Sequence, residues 1–520
     1  MGGLRTAARR LFPGWDCRPG RRMAPHRRDA APYIELRKDA DSGAWGYKDW
    51  ATRDTGGLLE FVMLYGKTAE QAAQWLIYEA FREDEPPTGP VPMQPALSTC
   101  GIAPAPASPD GYPSPMADDA FHGIAGEIVR LIEPHTEADP AALLFQFLAA
   151  FGNMIGRNAH MTADGARHCL NLFGVLVGQS SKGRKGTSWN QVAALLENMD
   201  ADWRARRVTS GLSSGEGLIW HVRDAVTAPP GDGKSRLVVL DPGVPDKRLM
   251  VVEGEFANAL KVMNREMNTL SPVIRAAWDS GALRTLTKNS PVTATGAHIS
   301  IIGHITRDEL RRFLGEIESA NGFANRFCWL AVRRSKCLPD GGRIDTVDFK
   351  PVLARLRDAV AFASTPRELT RDKDARLLWH DIYPQLSGGR PGLLGAVTGR
   401  AEAQVMRLGA LYALLDSSPL IRPGHHHAAL AVWGYCEQSA RWIFGTATGD
   451  KNADKILAAL RQAASAGMTR SEISEKVFLR NVSKPELSDA LAVLQQAGMA
   501  EMKREMHGSA VCERWVARDE

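Results

Sequence analysis

Apolar positions along this chain fall into two rhythms. Residues 170–177, 236–240, 249–252 and 298–305 are short, bounded runs rich in β-branched side chains, the pattern of strands buried on both faces. Between them, 187–199, 215–225 and 256–265 repeat apolar positions every three or four residues, as helices with one buried face do. Alternation of this kind predicts an α/β core over 119–345 built on a mostly parallel sheet. Residues 346–450 read as a helical region, with long Ala/Leu patterns at 400–416 and 425–444.

The last seventy residues form a pattern of their own. A helix is predicted over 454–464. Thr469 then caps a short second helix, with Glu472 three residues on as a capping box. A third helix starts near Ser483, carries Pro485 in its first turn and stops at Gly498. Residues 500–506 and 511–516, joined by His507-Gly508-Ser509, read as a hairpin. Three helices and a hairpin over 451–520 is the order of a winged helix-turn-helix.

At the other end, 33–36 and 45–50 read as strands, and 57–65 and 68–81 as helices. The segment 86–118 holds ten of the thirty prolines. It cannot form a helix or sheet interior and is predicted to be an extended tether.

At 520 residues the chain is too long for one core. With 44% hydrophobic and 24% charged residues it is not a disordered protein. No long uninterrupted apolar stretch is present, so no membrane span is expected. The Arg-rich start lacks a secretory h-region, although it mimics an organellar transit peptide. Seven scattered cysteines without a C-x-x-C pair argue against a disulfide framework and for a reducing, cytoplasmic setting. The net charge of +5 is uneven. Residues 1–38 carry ten Arg/Lys against Asp16, Asp29 and Glu35, a basic arm able to touch phosphates.

The sharpest chemical signal is the segment Gly178, Gln179, Ser180, Ser181, Lys182, Gly183, Arg184, Lys185, Gly186, Thr187 and Ser188. It follows an apolar strand and opens a helix. A nucleoside triphosphate needs inward backbone N–H groups, a helix N-terminus, a lysine and a hydroxyl for Mg²⁺, and all are here. The spacing departs from G-x-x-x-x-G-K-[ST], because Arg184 sits between Gly183 and Lys185. ATP and Mg²⁺ are the expected cofactors, with Thr187 as the hydroxyl ligand.

Such a site also needs a carboxylate at a nearby strand end. Glu255 is the first choice as water-activating base. Glu253 is second, and is also a candidate for the Mg²⁺ shell. Glu216 is a further acid that either faces the γ-phosphate or caps its helix. His304 or Thr306, after another apolar run, suits a γ-phosphate sensor. Arg326, in a glycine-flanked turn, is a candidate arginine finger reaching a neighbouring subunit. Three adjacent histidines, His425 to His427, point in different directions on a helix and make a poor metal set. In the C-terminal segment Arg480, Lys484, Lys503 and Arg504 are the expected phosphate contacts, on a nearly balanced charge of +1.

FGVLVGQSSKGRKGTSW, GLSSGEGLIW, VVEGEFANALKVM, HISIIGHITRDELRR and NGFANRFCWLAVRRSK, in that order, resemble the RecA-like P-loop ATPases of phage, plasmid and other mobile elements, some of them helicase parts of primase–helicases. The resemblance covers about 120–445 and implies a RecA-like P-loop NTPase core. Lys185 and Thr187 match its nucleotide-loop lysine and hydroxyl, Glu255 the acid after a core strand, and Arg326 the arginine of G-F-x-x-R-F. Residues 1–85 more faintly resemble a bacterial-type primase zinc module. Cys17 and His26 are the only remnants of its ligands, so zinc is not expected. Nor is primer synthesis, since Asp39 and Asp41 do not make a metal-binding carboxylate cluster.

The resulting expectation is an ATP-hydrolysing DNA motor or helicase-like replication protein, acting on single strands or forks as a homo-oligomer such as a hexameric ring. Two alternatives stay open: a DNA-binding regulator whose nucleotide site is a switch or relic, and an ATPase serving mobile-element defence or DNA transfer.

Overall fold

The computed structural model describes the chain from Gly111 onward except Ser181 and residues 229–237, 286–290, 315–320, 390–391, 446–449, 497, 508–509 and 519–520, together with the backbone of four strands between Gly20 and Gly56. Two compact units divide at Ala96/Leu97. In the first, Gly20–Met23, Tyr33–Lys38, Trp45–Asp49 and Thr55–Gly56 pair in sequence order as an antiparallel meander. The helices expected at 57–65 and 68–81 lie outside the described residues, as do Cys17 and His26.

A five-stranded parallel sheet organises the second unit. Its strands are β1 (Phe173–Val177), β2 (Val208–Thr209), β3 (Arg248–Glu253), β4 (His298–Ile305) and β5 (Cys328–Ala331), arranged β5-β1-β4-β3-β2. Every pairing in this sheet is parallel. The near-continuous apolar runs have the reason expected of them, for both faces are covered. Leu176, Met250, Ile302 and Leu330 belong to one core cluster, while Val175, Val251, Ile301 and Trp329 belong to the other.

The helices divide accordingly. On the first face lie α1 (Gly123–Ile132), α2 (Pro140–Met154) and α3 (Lys185–Glu197), and on the second α4 (Gly215–Trp220), α5 (Phe256–Met263), α6 (Leu270–Asp279) and α7 (Arg307–Phe313). The helical region adds α8 (Ala401–Leu415) and α9 (Pro423–Phe444), which join the same clusters as the sheet. The described residues of 346–450 therefore complete the sheet's core.

Buried polar side chains pin the helices to the starting ends of the strands. Asn153 of α2 donates to the Leu249 and His298 carbonyls and accepts from Trp203 Nε1. Arg407 of α8, 1% exposed, donates to the Asn171 and Trp278 carbonyls. With that end filled, the opposite edge of the sheet carries the loops.

Two expectations about the core need correction. Val238–Asp241 is no buried strand of the sheet. It pairs antiparallel with Val226–Ala228, and Val239 and Leu240 are exposed; the two-residue β2 takes the sheet edge instead. The tether also ends sooner than 118. Tyr112 and Met116 are buried, and the Tyr112 ring meets Trp442 edge-on at 5.1 Å. Two anchoring apolar side chains outweigh the local proline content there.

The C-terminal segment has its own cluster, with Leu457, Ile473, Leu491 and Trp515 at its centre. Lys451–Ala463 and Lys484–Gln496 pack beside a three-stranded antiparallel sheet in which Ala510–Ala517 lies between Met468–Thr469 and Ala500–His507. The capping box between Thr469 and Glu472 is formed.

Candidate functional site

In the sheet, β1 and β4 are neighbours, yet α3 leaves β1 on one face and α7 leaves β4 on the other. Adjacent strands whose connections part in this way open a crevice beyond their carboxyl ends, the usual ligand position in such sheets. The Gly178 loop and the His304–Thr306 segment both sit at this point.

The loop is built tightly. Gly178 N–H bonds to the Ile305 carbonyl, extending the ladder one step past β1. A Cβ on Gly178 would lie 2.4 Å from the Val332 carbonyl oxygen, so only glycine fits there. Arg184 adopts a left-handed φ of 49° and turns the chain into α3, whose first residue is Lys185. Lys185 Nζ donates to the carbonyls of Gln179 and Gly178 at 2.9 and 3.2 Å. Burial lowers the lysine's pKa, against an opposing pull from Glu309. Arg184 is drawn aside to Glu137 at 2.7 Å. The Leu338 N–H and Arg334 hold that carboxyl down to about 2, so it stays an anion. The lysine and arginine adjacent in sequence thus part in space, and Lys185 is the one kept at the loop.

Gly186 has open space where a Cβ would go. Thr187 is half-buried and its hydroxyl has no hydrogen-bond partner among the described residues. Ser188 is different: it is fully buried and its hydroxyl donates to the Lys185 carbonyl at 2.7 Å. Ser180 and Lys182 are exposed and Gly183 is buried, while Ser181 lies outside the described residues.

The acids fall at different depths. Parallel register puts Glu253 level with Gly303 and Val175, two rungs short of Val177. Its Oε1 accepts the N–H groups of Gly211 and Leu212 at 2.6 and 2.7 Å, so Glu253 anchors the loop after β2. Glu255, two residues on, is exposed before α5, with Asn258 Nδ2 donating to it at 3.0 Å. Glu216 lies in the first turn of α4 and accepts the Thr269 hydroxyl. His304 is 4% exposed, bonds to Gln146, and is lowered to about 4 by burial and then by Lys185. Thr306 caps α7 with Glu309 as its reciprocal partner.

Arg326 is not presented to a neighbour. It is 6% exposed, and its guanidinium meets Asp279 at 2.6 and 3.2 Å and the Gly322 carbonyl. Its partner is 47 residues away, which is why the local motif suggested a free arginine. In the C-terminal segment Arg480 and Lys503 are held by Glu475 and Glu501, whereas Lys484 and Arg504 are exposed without an ion pair among the described residues.

A second cluster was not foreseen. His122 Nε2 and His425 Nε2 both meet Asp416 Oδ2, at 2.7 and 3.1 Å, beside an open cleft of about 440 Å³ that Asp118, Asp119 and His427 also line. His425 Nδ1 accepts the Arg422 N–H. Its Nε2 therefore carries a proton and donates to Asp416, which makes the trio a hydrogen-bonded clasp. The three histidines do point apart, as expected: His425 and His426 inward and His427 outward. Asp416 is nine residues before His425 and His122 some three hundred, so no local spacing signals the clasp.

No protein-family model and no curated protein matches the chain. Among the described residues no helix is long and apolar enough to cross a membrane.

Proposed function

We propose that the chain is an ATP-hydrolysing P-loop enzyme of RecA-like architecture acting on DNA. The observation that carries this reading is the placement of the glycine loop and Lys185 at the carboxyl ends of β1 and β4, where the connections of these adjacent strands part. The β5-β1-β4-β3-β2 order supports it, with the loop on an inner strand, an acid ending β3 and His304 next to last on β4. The donor set suits a triphosphate: a lysine on the first turn of a helix, loop N–H groups, room at Gly186 and a hydroxyl on Thr187 without an internal partner. In this reading Glu255 orients the attacking water and Glu253, committed to the Gly211 loop, keeps β3 in register. His304 acts as neutral imidazole. DNA enters through the winged-helix-like C-terminal segment, where Lys484 and Arg504 are exposed without an ion pair among the described residues.

The burial of Arg326 favours one alternative to the motor. Without a trans arginine, a nucleotide-switched DNA-binding regulator would bind ATP and turn it over slowly. Steady-state ATP hydrolysis with and without single-stranded DNA, alongside the mass of the assembly, separates the two. Stimulated turnover in an oligomer supports the motor. Tight DNA binding without turnover supports the regulator.

A further inference from the structure

Beneath the loop, four residues from three elements form a chain of hydrogen bonds whose direction is fixed at every link. The Lys185 carbonyl can only accept, so the buried Ser188 hydroxyl donates to it at 2.7 Å. Ser188 Oγ must then accept from Gln146 Nε2, at 2.6 Å. The second amide hydrogen of Gln146 goes to the Ala142 carbonyl at 3.1 Å. A flipped amide would set its oxygen against that carbonyl. Gln146 Oε1 is therefore the atom that meets His304 Nε2 at 3.2 Å, and Nε2 must carry the proton. Gln146 and Ser188 are 0% exposed and His304 4%, so water does not substitute for these links.

We infer that Gln146 is a positioning residue: it holds His304 in the Nε2–H form, leaving Nδ1 as the ring's acceptor, and ties the end of β4 to the first turn of α3, which carries Lys185. This inference rests on the nucleotide reading above. Lys185, from α3, is the charged group that acts on the ring. α2 brings the neutral Gln146, and β1 places Leu176 beside His304.

Two variants of the full chain test it. Q146L removes the links to Ser188, Ala142 and His304, and Q146E keeps the shape while placing a carboxylate on Nε2–H; melting temperatures verify that both fold. Histidine-selective ¹⁵N spectra, with the His304 signal assigned by its loss in H304Q, report the tautomer without any need for turnover. The wild type should show neutral, Nε2-protonated His304 from about pH 5 upward. Q146L should show a mixture of tautomers, with kcat lowered about tenfold or more and KM little changed. Q146E should move the acid limb of the kcat profile upward by about one pH unit or more, because an adjacent carboxylate favours the imidazolium. A His304 signal and a kcat in Q146L equal to those of the wild type overturn the inference. A wild type that neither binds nor hydrolyses ATP removes the reaction, and with it the role of Gln146, independently of the spectra.

Discussion

Gly186 sets fold stability against function. It is the second residue of α3, its φ is not positive, and nothing lies within 4 Å of the place a Cβ would take. On fold grounds alone alanine is the better residue. Glycine costs a helix interior about 1 kcal/mol relative to alanine, and roughly half of that is reasonable in an exposed first turn. G186A should therefore raise the free energy of unfolding by about 0.5 kcal/mol, read by urea titration. If phosphate occupies the space beside this turn, the added methyl should also weaken ATP binding by about tenfold, equivalent to about 1.4 kcal/mol. Gly178 supplies the contrast. Its Cβ would meet the Val332 carbonyl at 2.4 Å, so G178A should destabilise the fold by about 1–3 kcal/mol. Fluorescent-nucleotide titration of both variants, with unfolding curves, completes the comparison. A G186A protein that is more stable and binds ATP as well as the wild type would refute the assignment of that space to phosphate.

Two further outcomes follow from buried or half-buried charges. R326M should lose about 1–3 kcal/mol of stability in urea, since the buried guanidinium bonds are lost while Asp279 is exposed and keeps Arg400; wild-type stability, with turnover lost by R326M alone and regained on mixing with K185A, would restore the arginine-finger role. The clasp at Asp416 gives a pH window. His122 and His425 hold Asp416 below its ordinary pKa despite its burial, so its contribution is present above about pH 3.9 and fades as pH falls. The Asp416 bond raises the pKa of His122, so that contribution is present below about pH 6.5 and fades as pH rises through the folded value. The stability gap between wild type and D416N should be widest between about pH 4 and 6.5. A pH-independent gap would exclude the clasp.

Much of the fold is legible because single-residue chemistry sets it. The continuous apolar runs before Gly178 and through His304 are strands covered on both faces, and Thr469 with Glu472 reads as a capping box and forms one. The fold departs from the local pattern where distant partners decide. Val238 to Leu240 has the composition of a core strand, but β2 holds the edge and leaves that run exposed. Tyr112 looks like part of a proline-rich tether until Trp442 provides its surface. The candidate site divides in the same way. Lys185, Thr187 and Glu255 could be named from strand–loop–helix order. Gln146, Glu309, Asp279 and Asp416 could not, because each acquires its meaning from a residue on another element.

Lys185 and its loop are proposed to hold nucleotide phosphate. Calorimetric titration of Mg-ATP into the wild type, K185A and E255Q tests this most directly. Saturable binding by the wild type and E255Q is expected, with at least tenfold weaker binding by K185A and hydrolysis by the wild type alone. Equal binding by K185A and the wild type, or no binding by any of the three, would contradict it.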